Sequence, residues 1–185
     1  MTRPLDRYSD IHSHSRTREL CGDTVVNIVP GESMLPGGTY SVGIHPWESG
    51  RAITLTELKS LVSMARDPRV VAIGECGFDR LRGGSPEAQR RLFDFQARLA
   101  ARIGKPLIIH CVKSDDRLLS AARRLRPAEG MWIVHGFRGK PEAARQLLRA
   151  GLSLSLGERY NEATAAAIPP ERLYRESDSP ADIHK

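Results

Sequence analysis

Six histidines stand in the 185-residue chain, and five of them close or directly follow a short apolar, β-branched run. His12 and His14 lie at the end of the run 8–13, His45 at the end of 40–45, His110 in 107–112 and His135 in 131–136. Two acidic residues take matching places, Glu75 in the run 70–76 and Asp178 at the end of 173–178. In an extended chain residues i and i+2 point the same way, so the HxH at 12–14 aims two imidazoles at one point and turns Ile11 and Ser13 outward. That is chelate spacing. Imidazole and carboxylate together suit Zn, Mn or a similar divalent ion, and pairs of such ions bridged by a carboxylate, about 3.5–4 Å apart, are a device for phosphoester cleavage. Singly, each His reads as a satisfied polar group, and Glu75 or Asp178 as a helix cap. Seven together without a cation would strand charge in a dry site. Cys76 and Cys111 each follow a candidate ligand by one residue, so alternation makes them packing residues.

The elements that must hold these groups are eight candidate strands, at 8–13, 24–29, 40–45, 70–76, 107–112, 131–136, 152–156 and 173–178. Helical periods fall between the later ones. The clearest has Ser85 as N-cap, Pro86 at its first position, Leu92, Phe95, Leu99 and Ile103 on the core face, and Gly104 as its stop. Another opens on a Thr54/Glu57 capping box with a stripe of Leu58, Leu61, Val62 and Ala65. A third is capped by Ser114 and ended by Pro127, a fourth covers 141–150 with Gly151 behind it, and a fifth follows Asn161 and stops at Pro169 and Pro170. Alternating strand and helix point to parallel βαβ units, and eight units to an α/β fold, a (β/α)8 TIM barrel forming a single domain over 1–185. In a barrel the C-terminal strand ends are where catalytic groups converge.

Eight units over 185 residues leave about 23 each, against a whole-barrel norm of about 250 residues. The segments 16–23 and 30–39 read as loops and seven residues follow Asp178, so the barrel is expected to be reduced, with helices 1, 2 and 8 missing. These are neighbours around a closed barrel. Strand 2 is apolar on both faces at Val25, Val26, Ile28 and Val29, so its cover is expected from the two loops or from a second copy, giving a monomer or a homodimer.

Composition narrows the classes. The chain carries 28 Lys+Arg against 22 Asp+Glu, net +6, and 23 of the basic residues are arginine. Arginine's planar fork matches phosphate, so nucleic acid is an admissible partner. Three cysteines, Cys21, Cys76 and Cys111, without a CxxC pair indicate neither a disulfide framework nor a zinc knuckle, and are expected reduced and mostly buried. No run is long and apolar enough to span a bilayer, and the opening MTRPLDRYSDIHSHS has no signal-peptide core, so a cytoplasmic location is expected.

IHSHS, GIHPW, AIGECGFDR, LIIHCVKS, IVHGFRGK and RESDSP, in this order, resemble the motifs of the TatD-type metal-dependent deoxyribonucleases of the amidohydrolase superfamily. The resemblance implies a barrel holding two divalent ions, Zn, Mn or Mg. It assigns His12, His14, Glu75 and Asp178 to the first and Glu75, His110 and His135 to the second, Glu75 bridging. It further implies hydrolysis by a hydroxide held between the ions, Asp178 taking the water's proton and His45 contacting the phosphate. Lys113, Arg138 and Arg80 follow motif strands and are candidate phosphate contacts. The chain departs from the family at three places. Ser177 replaces the threonine of ETDxP while Asp178 is kept. Val112 stands where an arginine is usual, with Lys113 next. Trp47 replaces a second histidine, free either to stack on a base or to pack on the loop 30–39.

The leading expectation is therefore a phosphodiesterase acting on nucleic acid. The alternatives are hydrolysis of an amide, lactone or aminoacyl ester, such as D-aminoacyl-tRNA deacylation, on the same site, and a non-catalytic metal-binding barrel. No G-x-S-x-G elbow, P-loop or G-x-G-x-x-G occurs, which removes serine-hydrolase, NTPase and dinucleotide readings.

Overall fold

The computed structural model describes residues 4–178. Eight strands, β1 (Asp10–Ser13), β2 (Thr24–Ile28), β3 (Tyr40–Val42), β4 (Val70–Asp79), β5 (Leu107–Val112), β6 (Trp132–Val134), β7 (Ser153–Leu156) and β8 (Leu173–Arg175), pair in chain order and in parallel. The amide of Asp178 donates to the carbonyl of His12 at 3.0 Å, and Ser177 bonds Asp10, bringing the last strand back to the first. The result is a nearly closed TIM barrel. Five helices cover its outside after β3 to β7: α1 (Leu55–Met64), α2 (Pro86–Ile103), α3 (Asp115–Leu125), α4 (Pro141–Arg149) and α5 (Glu162–Ala167).

Alternation along the strands divides the apolar residues into two cores. Ile108 points inward to join Val25, Ala72, Ile133 and Tyr174 inside the barrel, while Leu107 and Ile109 point outward to the helices. Leu61 of α1, Phe93 of α2, Leu118 of α3 and Leu147 of α4 cover that outer face. Phe93 packs between Phe78, tilted, and Trp132, edge-on, at 4.7 and 5.1 Å between ring centroids. Thr54 and Glu57 form the capping box, and Ser85 caps α2, which ends on Gly104 at φ +69°.

Several details differ from the sequence reading. Ile11 joins the interior cluster instead of facing outward, because the β1–β2 register shifts between Asp10 and Ser13. Phe95 lies at the surface, 36% exposed, rather than in the core. Cys21 is exposed. Ser114 precedes α3 but makes no side-chain cap bond. Strand β4 runs three residues beyond Cys76, whereas β3 and β8 stop short of His45 and Asp178.

After β1 there is one 3-10 turn, Arg16–Arg18, and between β2 and β3 no helix, as expected; the site of helix 8 lies outside the described residues. The chain's own loop shelters the uncovered sector. Val26 and Ile28 face outward yet are 0% and 1% exposed, with Met34 packed against the same cluster. Arg69 pins the loop by donating to the Met34 carbonyl at 3.1 Å, and Tyr40 accepts the Leu35 amide at 2.8 Å.

Candidate metal centre

The register of the barrel brings His12, His14, His45, Glu75, His110, His135 and Asp178 together at the C-terminal rim. Glu75, inside β4 and 5% exposed, is the pivot. Its Oε1 lies 2.7 Å from His110 Nδ1, 2.8 Å from His135 Nε2 and 3.1 Å from His45 Nε2. Its Oε2 lies 3.5 Å from His12 Nε2 and 3.4 Å from His14 Nε2. Asp178 Oδ1 stands 3.7 and 3.9 Å from those same two nitrogens. One oxygen of the carboxylate thus faces His45, His110 and His135 and the other His12 and His14, and the two sets adjoin at His12 and His135, 4.3 Å apart between ring centroids.

Close approach at this point needs glycine. Gly77 pairs with His110 at φ +149°, and a Cβ there would collide with the His110 carbonyl, forcing β4 and β5 apart beside Glu75. The Glu75 amide donates to Asn27 Oδ1 at 2.6 Å, which fixes the backbone that carries the carboxylate.

Burial alone would raise the Glu75 pKa, but His135, His110 and His12 outweigh it and hold the carboxyl well below its usual range. Burial likewise disfavours charge on His135, yet Glu75 and Glu176 override it and raise that imidazole well above its usual value. His12 is lowered by burial and by His135. Both ring nitrogens of His12 are buried without a hydrogen-bond partner, although Nε2 points at two carboxylates. An orphaned imidazole beside anionic oxygens fits a divalent cation. Donor atoms of His12, His14 and Asp178 lie within 4.8 Å of one another, as do those of His45, Glu75 and His110.

Three further acidic residues, not singled out from the sequence, support this ring. Asp79 accepts from Trp47 Nε1 at 2.7 Å and meets His110 Nε2 at 3.1 Å. Glu176 lies 3.5 Å from His135 Nδ1 and accepts the Gly136 amide at 2.6 Å. Asp10 accepts the His12 amide and ties it to Ser177. Alternation carried the signal for Asp79, four residues beyond Glu75 in the same strand. Trp47 turns to Asp79, with Arg82 over its ring at 4.6 Å. Lys113 and Arg138 line a cavity of about 450 Å³ with His110, His135 and Asp178. Arg80 instead holds Asp116 through Nη2, at 2.7 and 2.8 Å. Cys76 and Cys111 pack against the outer core, and burial raises both thiols.

A family model described as TatD related DNase matches residues 32–183. The chain belongs to the TatD family. Among curated relatives, the 3'-5' ssDNA/RNA exonuclease TatD of Erwinia billingiae is 36% identical over 161 residues, 78% of this chain and 59% of that protein. The protein of the same name from Musicola paradisiaca is 36% identical over 163 residues, 80% of this chain and 61% of its own. The chain thus spans about three-fifths of these relatives' length. Two solved TatD structures share the fold. A TatD family hydrolase of Entamoeba histolytica superposes with a TM-score of 0.70 at 19% identity, over 95% of this chain and 73% of that one. The TatD homolog YJJV of Escherichia coli gives 0.68 at 24%, over 94% and 80%.

Proposed function

We propose that this TatD-family chain is a metal-dependent hydrolase that cleaves phosphodiester bonds of nucleic acid at the rim site. The observation that carries the reading is the division of labour at Glu75, whose two oxygens face two histidine groups. His12, His14 and Asp178 with Oε2 would hold one divalent ion, and His110 and His135 with Oε1 a second. When bound, such ions polarise the phosphoryl oxygen and make a nearby water acidic. Asp178, which lines the cavity, would orient the attacking water and accept its proton. Lys113 and Arg138 give the scissile phosphate charge-assisted hydrogen bonds from the cavity wall, and His45 adds a third donor. Arg80, already engaged by Asp116, is a weaker candidate. The ETDxP-type turn and the relatives named as exonucleases favour the same substrate class.

Turnover of bis(p-nitrophenyl) phosphate by chelator-stripped protein, resupplied in parallel with Zn, Mn or Mg, tests the reading. Phosphodiester cleavage with at least one ion is the expected result. No cleavage with any ion, alongside hydrolysis of a D-aminoacyl-tRNA, would replace it with ester chemistry on a carbon centre.

A further inference from the structure

A surface cavity of about 630 Å³ lies away from the rim, between α1 and α2. Its walls carry Arg66, Arg90, Arg91, Arg98 and Arg102 and a single carboxylate, Asp94. That carboxylate is already bonded by Arg124 of α3 at 2.7 Å. Arg66, Arg98 and Arg102 have no carboxylate within ion-pair distance among the described residues. Crowding like charges in a concavity costs self-repulsion, and apolar walls focus the resulting positive field. An anionic ligand relieves it.

The floor narrows the ligand's chemistry. Arg91, Phe95, Arg98 and Arg102 fall at i, i+4, i+7 and i+11 of α2, one stripe of the helix, and Phe95 lies exposed among the guanidinium groups. Val62, Leu99 and Ile103 complete the apolar floor. A basic track interrupted by an aromatic platform is the arrangement that binds single-stranded nucleic acid, phosphates on the arginines and a base on the ring. An acidic peptide would use the charges and leave Phe95 idle. From Arg91 to Arg102 the helix rises about 16 Å, a track long enough for more than one phosphate. A second recess of about 360 Å³ shares Arg91 and Phe95 and reaches Ser49, two residues from Trp47 at the rim.

We propose that the α1–α2 groove is a second binding site, separate from the metal centre, that holds a single-stranded polynucleotide with a base stacked on Phe95. Binding here does not require cleavage at the rim. Fluorescence anisotropy of labelled fifteen-nucleotide oligothymidylate with metal-free protein measures it directly. Arg98→Gln with Arg102→Gln is expected to weaken binding at least tenfold and to lower the salt slope by about 1.4. Phe95→Ala is expected to weaken it about 5- to 100-fold with the slope unchanged. Arg66→Gln, on the opposite wall, moves in the same direction as the α2 arginines. The groove variants leave bis(p-nitrophenyl) phosphate turnover intact, so this site and the rim activity fail separately. Unchanged affinity in the arginine and Phe95 variants overturns the proposal. So does displacement by polyglutamate at equal charge with Phe95→Ala neutral, which would make the groove an acidic-protein surface.

Discussion

Glu75 bonds or faces five imidazoles, so removing its charge should disturb both halves of the rim at once. Glu75→Gln is expected to abolish hydrolysis and to leave one bound ion or none, measured by elemental analysis; two tightly held ions in that variant would refute the bridging assignment. Asp79 acts one step further out, holding the far nitrogen of His110 while Trp47 holds Asp79. Asp79→Asn should therefore weaken metal binding by about 10- to 100-fold in calorimetry while sparing the fold. The raised pKa of His135 has a signed consequence. Without metal, the proton it retains stabilises the folded state below the unfolded imidazole pKa of about 6.5, and that contribution is lost as pH rises through the folded value. Chelator-stripped protein should accordingly melt lower as pH climbs above about 6.5, whereas a cation must displace that proton, so metal-loaded protein should gain stability over the same range. Parallel melting curves that fail to diverge would show that His135 takes no part.

Among the elements, α1 is the shortest helix of the pair framing the basic groove and depends most on its ends. Arg51 and then Thr54 hold the Glu57 carboxyl down at about 2. Because the folded value lies below the usual one, the stabilisation is present above about 4.5 and is lost as pH falls toward about 2. Glu57→Gln should lower the melting temperature at pH 7, with the difference from the parent vanishing near pH 2. Thr54→Ala removes the reciprocal cap and should cost about 1 kcal/mol at any pH where the helix forms, read from urea denaturation. Helix α2, by contrast, is long enough to serve two faces. Leu92 and Phe93 lie against the barrel, while Phe95 and its arginines face the groove toward α1.

At the scale of the whole molecule, the described residues lack α-helices after β1 and β2, and the loop between β2 and β3 takes the place of one where a strand would otherwise meet water. Val26 and Ile28 lie under the loop tied down by Arg69 and Tyr40. A charge at Val26 would be buried without a partner. Val26→Arg should thus cost about 3–5 kcal/mol in chemical denaturation; a stability equal to the parent's would mean that the loop does not cover the strand in solution.

What the sequence determined by itself follows from two periods. Period 2 placed His12 with His14, and Glu75, His110 and His135 on inward-facing positions near strand ends, while period 3.6 with its caps located α1, α2 and α4. Local spacing suffices there because a strand or a helix fixes where its neighbours in the chain point. The tertiary structure decided whatever depended on a second element. Asp79 became a partner of His110 only when β4 ran past Cys76 to lie beside β5. Glu176 met His135 across two strands, and Ile11 turned inward where β1 slips against β2. Phe95 satisfies the helical stripe on paper, but burial requires a packed opposing surface, and across from it Leu58 and Val62 of α1 leave cavities instead.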